Sequence, residues 1–147
     1  MMDWSGPLTA LLGSLGFSLL FNVRGWRLLA GALGGGVTWA LYLALSRLTG
    51  EEYLSYGLAS LAAALYAQVM ARWMKGPASV FLLPCIIPLI PGGMLYYTML
   101  EMVQGHWTQA AQQGVATLKA AGAIAIGLAG ASSLEALARA VIRRIMK

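Results

Sequence analysis

"FLLPCIIPLIPGGMLYY", residues Phe81 to Tyr97, sets three prolines and a glycine pair inside an apolar run. Pro84, Pro88 and Pro91 fall at i, i+4 and i+7, which is one face of a helix. Each lacks an amide hydrogen, so the carbonyls of Val80, Pro84 and Ile87 lose their helical partners. The residue before each proline is also pushed from helical toward extended backbone. The stretch therefore predicts two half-helices joined by a non-helical break near Ile87–Pro91. What surrounds the break decides whether the chain tolerates it.

The surroundings are a membrane. Of the 147 residues, 59% are hydrophobic and only 10% are charged, against about 25% charged in an average soluble domain. Apolar blocks separated by short charged breaks indicate several membrane spans. The net charge of +5 does not come with a Lys/Arg patch able to track a phosphate backbone, so no nucleic-acid partner is expected. Met1-Met2-Asp3-Trp4 carries no positive segment before the first apolar block, which is expected to stay as a span rather than be cleaved. One cysteine, Cys85, leaves no intrachain disulfide and no cysteine-rich metal site.

Blocks of about 17–25 apolar residues fall near Ser5–Phe21, Trp26–Ser46, Tyr53–Ala71, Ala78–Val103 and Gly114–Ser132. The fold expected is an all-α integral membrane bundle of five transmembrane helices, the fourth broken by proline, over residues 1–132. Five spans put the termini on opposite sides. Arg24, Arg27, Arg72, Lys75, Arg139, Arg143, Arg144 and Lys147 then share one side, eight of the ten basic residues. By the positive-inside rule that side is cytoplasmic and the N-terminus is outside. Arg47, Asp3, Glu51, Glu52 and Glu101 fall on the outer side.

Residues 133–147 form the second expected unit. Ser132-Ser133-Leu134-Glu135 fits an S-x-x-E capping box. Beyond it Leu134, Leu137, Ala138, Val141, Ile142, Ile145 and Met146 repeat at helical spacing opposite Glu135, Arg139, Arg143, Arg144 and Lys147. This predicts an amphipathic helix on the cytoplasmic surface, drawn to anionic membrane lipid; the rival is a straight extension of the last span that packs on a partner protein. Small residues at Gly31 and Gly35, and at Ala59, Ala63 and Ala67, are spaced for close helix contact.

Non-helical backbone at membrane depth survives only when buried in protein or lining a wet cavity. A broken helix there offers carbonyls at one end. At the other, the amides of Gly92, Gly93 and Met94 follow Pro91 in the first turn, a positive end suited to a carboxylate. Secondary transporters build midplane substrate sites this way. A plain structural kink is the alternative.

Pro84 to Met99, "PCIIPLIPGGMLYYTM", resembles the proline-glycine signature of the threonine/serine exporter family, most closely its split form with a small membrane subunit. Against the pattern P-G-x-x-P-L-x-P-G-x-x-x-Y, the residues Pro84, Pro88, Leu89, Pro91, Gly92 and Tyr96 match; Cys85 stands where glycine is expected. The resemblance implies export of small carboxylate-bearing metabolites (threonine, serine, or succinate in split relatives) across the bacterial inner membrane. It also implies a larger multi-span partner subunit. The rivals are an accessory subunit that does not transport, and a homo-oligomeric channel.

The candidate substrate-binding residues are Pro84, Pro88, Pro91, Gly92 and Gly93, with Tyr96 and Lys119 added. Lys119 is the one charge well inside an expected span; it either points into the bundle as a carboxylate partner or snorkels to the interface. Asn22, Gln68 and Thr98 are expected to bond between helices. Glu101 is expected as a plain loop carboxylate and His106 as solvated beside the anchor Trp107. No triad, acid/base pair or phosphate-binding loop is visible, so no enzyme activity, cofactor or metal is expected, and a gradient must drive transport.

Overall fold

The computed structural model describes residues 5–145. Asp3 and the rest of residues 1–4, and Met146 and Lys147 of the expected tail face, lie outside the described residues. Six α-helices follow in order: α1 Ser5–Leu20, α2 Trp26–Thr49, α3 Glu52–Trp73, α4 Ala78–Ile86, α5 Gly92–Val103 and α6 Trp107–Ile145. A 3-10 turn, Ile87–Leu89, joins α4 to α5. Among the described residues there is no strand.

The turns follow local chemistry. Gly50, at φ 68°, takes the left-handed position ending α2, and its amide closes on the Ser46 carbonyl. Asn22, expected to bond across helices, supplies a left-handed residue at φ 56° after α1 instead, a conformation asparagine tolerates better than most.

Interhelical pairs fix the packing. Gly6 stands beside Trp39 and Gly31 beside Ser18, so α1 and α2 are antiparallel. Tyr42 stacks on Tyr56 at 4.5 Å, and the Tyr66 hydroxyl donates to the Ala30 carbonyl at 2.8 Å; α2 and α3 are antiparallel too. Ser60 donates to the Ile124 carbonyl and Gln68 to the Ala131 carbonyl, so α3 and α6 run parallel. Small residues make the approach possible: Ala59, Ala63 and Ala67 are all buried, and a Cβ at Gly127 would collide with Ser60 Oγ and the Gly57 carbonyl.

Three helices, α2, α3 and α6, are long and apolar enough to cross a membrane, and four spans result if the bent α4–α5 pair counts as one. Five is not reached by length and composition, because α1 has 16 residues and rises only about 24 Å against a hydrocarbon core of about 30 Å. The last helix also departs from expectation at both ends. It starts at Trp107 rather than Gly114, absorbing the polar segment expected as a loop. It also passes through Ser132 and Ser133 without a break, since both hydroxyls bond back to the Ala129 carbonyl instead of capping a new helix. The residues from Leu134 onward continue the last span.

Glu135 is held instead by Arg72 at 3.0 Å and by Arg139. The Arg72 side chain is 60% exposed, so Arg72→Ala is expected to lower stability by no more than about 1 kcal/mol in denaturant titration. Glu101 and His106 also pair, Oε2 to Nδ1 at 2.7 Å, rather than standing solvated apart. Thr98 bonds within its own helix, to the Met94 carbonyl.

Candidate functional site at the proline turn

The chain leaves α-helical geometry after Ile86, winds through Ile87-Pro88-Leu89, and restarts at Gly92 with the two helix axes bent by 51°. The backbone groups freed by the prolines are partly reused. The Ile87 carbonyl accepts from the Ile90 amide at 3.2 Å, a 3-10 bond replacing the one Pro91 cannot give. The Pro84 carbonyl has no such donor at Pro88, which carries no amide hydrogen.

Pro84 is fully buried, and its surroundings are the glycines of α2. The Pro84 ring stands 3.1 Å from the Cβ position at Gly31, and its carbonyl oxygen 2.9 Å from that at Gly35. Cys85, also fully buried, fills the space left open at Gly34, where a Cβ would overlap its Sγ and come 2.7 Å from the Tyr66 ring. The family glycine expected at 85 is thus replaced by a packing thiol that meets a glycine on the neighbouring helix. Leu89 anchors the far end of the turn, buried against Tyr42, Tyr56, Ala59 and Ile124.

Beside this packed seam lies an open cavity of about 290 Å³, with Thr9 and Gly13 exposed at its wall. Gly6, Gly13 and Ser14 line it from α1, Trp39 from α2, and Ile87 and Pro88 from the turn. Among its lining residues Ser14 is fully buried, and its Oγ is the one buried side-chain polar atom among the described residues without a hydrogen-bond partner. Ser14 meets Gly35 and Gly6 meets Trp39, both within the middle third of α2. Larger grooves elsewhere, such as that between Tyr53, Leu61 and Ile126, are lined by apolar side chains and suit lipid tails.

The candidate residues divide into three places. Pro84 and Pro88 sit at the seam and the cavity wall. Gly92 and Gly93 are exposed, with nothing within 4 Å of their Cβ positions, and the Gly92 amide already donates to the Ile90 carbonyl at 2.7 Å. Pro91 precedes them at the helix start, and Tyr96 is 62% exposed on α5, a helix with no buried residue. Lys119 lies on the exposed side of α6, its Nζ 5.7 Å from the centroid of the Tyr53 ring, away from the cavity.

Sequence reasoning missed Ser14 and Gly13. Both lie in a short block of Gly, Ser and Leu whose residues carry no motif. The signal available was the pairing of small residues on α1 with Gly31, Gly34 and Gly35 on α2, which marks a seam too tight for side chains and forces any space to open beside it.

Neither the curated proteins nor the solved structures contain a match to this chain. The sequence profile of the family described as "Threonine/Serine exporter, ThrE" matches residues 7–134, covering α1, the seam, the proline turn and most of α6. The family points to a transporter rather than an enzyme. The chain belongs to the threonine/serine exporter family.

Proposed function

We propose that this chain is one subunit of a secondary transporter exporting small carboxylate-bearing metabolites across the bacterial inner membrane. Threonine, serine or a dicarboxylate such as succinate are the candidate substrates, and a larger multi-span subunit is the partner. The observation that carries the reading is the pocket beside the proline turn, lined by α1, the middle of α2 and Ile87-Pro88, with the buried Ser14 among its lining residues. A site at that depth, bounded by a helix break, suits alternating exposure to the two sides.

In this reading α1 and the bent α4–α5 pair both cross, giving five spans with the N-terminus outside. The short α1 is met by local thinning of the bilayer or by protein cover. The basic end of α6 lies on the cytoplasmic side, near anionic lipid. Gly92, Gly93 and Tyr96 are exposed and do not line this chain's own cavity; they are left for the larger subunit, which would bring them into a shared site.

The test is to tag the chain, extract it mildly from its native membrane, and weigh and identify what accompanies it, then measure solute exchange in lipid vesicles. A larger multi-span protein in fixed ratio, with saturable exchange of threonine, serine or succinate, is expected. A homo-oligomer of this chain alone with unsaturated conductance would overturn the reading in favour of a channel.

A further inference from the structure

We propose that the groove between α2 and α3, at the basic end of the bundle, binds one anionic phospholipid. Its acyl chain lies in the groove and its phosphate among Arg24, Arg27 and Lys75. The proposal goes beyond the transport reading and rests only on the chain's membrane-crossing helices.

The groove has a volume of about 570 Å³, within the range of small-molecule sites. Trp26, Leu29 and Leu33 line it from α2, and Tyr66, Met70 and Trp73 from α3. Trp26 begins α2 and Trp73 ends α3, so both stand at one end of it. They are 78% and 76% exposed, as tryptophans are where a membrane meets water. Leu33 lies seven residues along α2 from Trp26, so the groove runs inward by about 10 Å. The one side-chain hydroxyl on its wall, that of Tyr66, already donates to the Ala30 carbonyl at 2.8 Å. What the groove takes in is therefore hydrocarbon.

Charge gathers at the tryptophan end. Arg24 lies two residues before Trp26, Arg27 follows it directly, and Lys75 comes two residues after Trp73. All three are exposed. Arg27 Nη2 donates at 3.0 Å to the carbonyl of Met74, itself a lining residue, which holds the guanidinium beside the groove with further donors to spare. Glu135 is the carboxylate at this end among the described residues, and Arg72 and Arg139 occupy it. Among the described residues no carboxylate pairs with Arg24, Arg27 or Lys75. Cations without carboxylates, at the end of an apolar groove, fit a phosphate joined to a hydrocarbon chain. Lys75 also holds φ at 48°, a left-handed backbone that suits glycine better than lysine. The turn does not call for a lysine there; the charge is what the residue adds.

The groove on the other side of α3 gives the contrast. Tyr53, Leu58 and Ile126 line it, and its walls are as apolar. Tyr53 follows Glu51 and Glu52 in the chain, so carboxylates stand where the first groove has cations. The two grooves suit the same tail and differ in the headgroup they favour.

The test uses the full chain with any subunit that co-purifies, in detergent micelles, read by native mass spectrometry. Phosphatidylglycerol is expected to be retained at least about tenfold more tightly than phosphatidylcholine with the same acyl chains. Excess glycerol 3-phosphate, a headgroup without tails, is expected not to displace it. Arg24→Gln and Lys75→Gly are each expected to weaken phosphatidylglycerol about fivefold, the worth of one basic residue at an anionic surface. Lys75→Gly relaxes the left-handed backbone, so its melting midpoint should not fall and misfolding cannot account for the loss. Arg144→Gln, on α6 at the same end of the bundle, is the control and should leave retention unchanged. Equal retention of the two lipids, displacement by glycerol 3-phosphate, or no loss in Arg24→Gln and Lys75→Gly would each overturn the proposal. An equal loss in Arg144→Gln would overturn it in favour of diffuse surface attraction. The occupant is read separately, with the photo-crosslinking residue benzoylphenylalanine in place of Leu29. Adducts of phospholipid mass are expected; crosslinks to a second copy or to another subunit would give the groove to protein and end the proposal.

Discussion

Gly35→Ala is expected to destabilise the bundle by about 1–3 kcal/mol, the range for a methyl forced into a packed interior. The added carbon would collide with Ser14 Oγ, stand 2.5 Å from Ser14 Cβ, and press against the Pro84 carbonyl oxygen at 2.9 Å. Two of these neighbours offer no cheap escape. The Ser14 Cβ is fixed to the backbone of α1, and the Pro84 oxygen is itself backbone. Moving either means parting α2 from α1 or from α4. The midpoint of thermal unfolding in mild detergent reports the loss, and Gly35→Val should exceed it. Ser14→Gly introduced alongside Gly35→Ala should recover part of the midpoint, because the two positions share the clash and their effects do not add. An unchanged midpoint in Gly35→Ala would remove the close α1–α2–α4 seam from the account.

Gly13→Phe carries the second large effect, on transport rather than on stability. Nothing lies within 4 Å of a Cβ built at Gly13, yet the residue lines the cavity. An aromatic side chain there enters free space and fills it. We expect solute exchange by the reconstituted complex to fall at least about tenfold, a change of about 1.4 kcal/mol or more in the barrier, while the unfolding midpoint stays put. Gly16→Phe is the matched control. It too has open space at its Cβ position, but it does not line the cavity, so exchange should be retained.

The fold was legible where physics acts locally. Proline without an amide, placed at one-turn spacing, announces where α4 must end, and hydropathy announces α2, α3 and α6. Glycines and alanines at every fourth position announced tight faces. Their partners were not legible, because Gly34 and Gly35 carry no side chain to say what they meet. Only the folded chain sets them against Cys85 and Pro84. The end of the last span was misread for a related reason. Ser132 and Ser133 have the chemistry of a cap, but the Ala129 carbonyl is equally close in a continuing helix and takes both hydroxyls. The apolar residues that follow let the helix run on.

The site itself was half legible. Pro84 and Pro88 could be read from sequence because a missing donor is a local fact. Ser14 could not, since being unpaired is a property of surroundings that a sequence does not display. Lys119 is open in the sequence between a cation facing the bundle and one that snorkels, because a position within an apolar block does not say which face it takes. The parallel register of α3 and α6 sets it on the exposed side beside the Tyr53 ring, where the cation keeps a favourable contact.

The central claim is that the cavity at the proline turn opens in turn to the two sides of the membrane. The most direct measurement places a thiol there, Gly13→Cys with the buried Cys85 changed to alanine, and labels it with a membrane-impermeant reagent in right-side-out and inside-out vesicles. The account predicts labelling from both sides, with rates that L-threonine or succinate shifts in opposite directions. Labelling from one side only, at a rate no substrate alters, would contradict it.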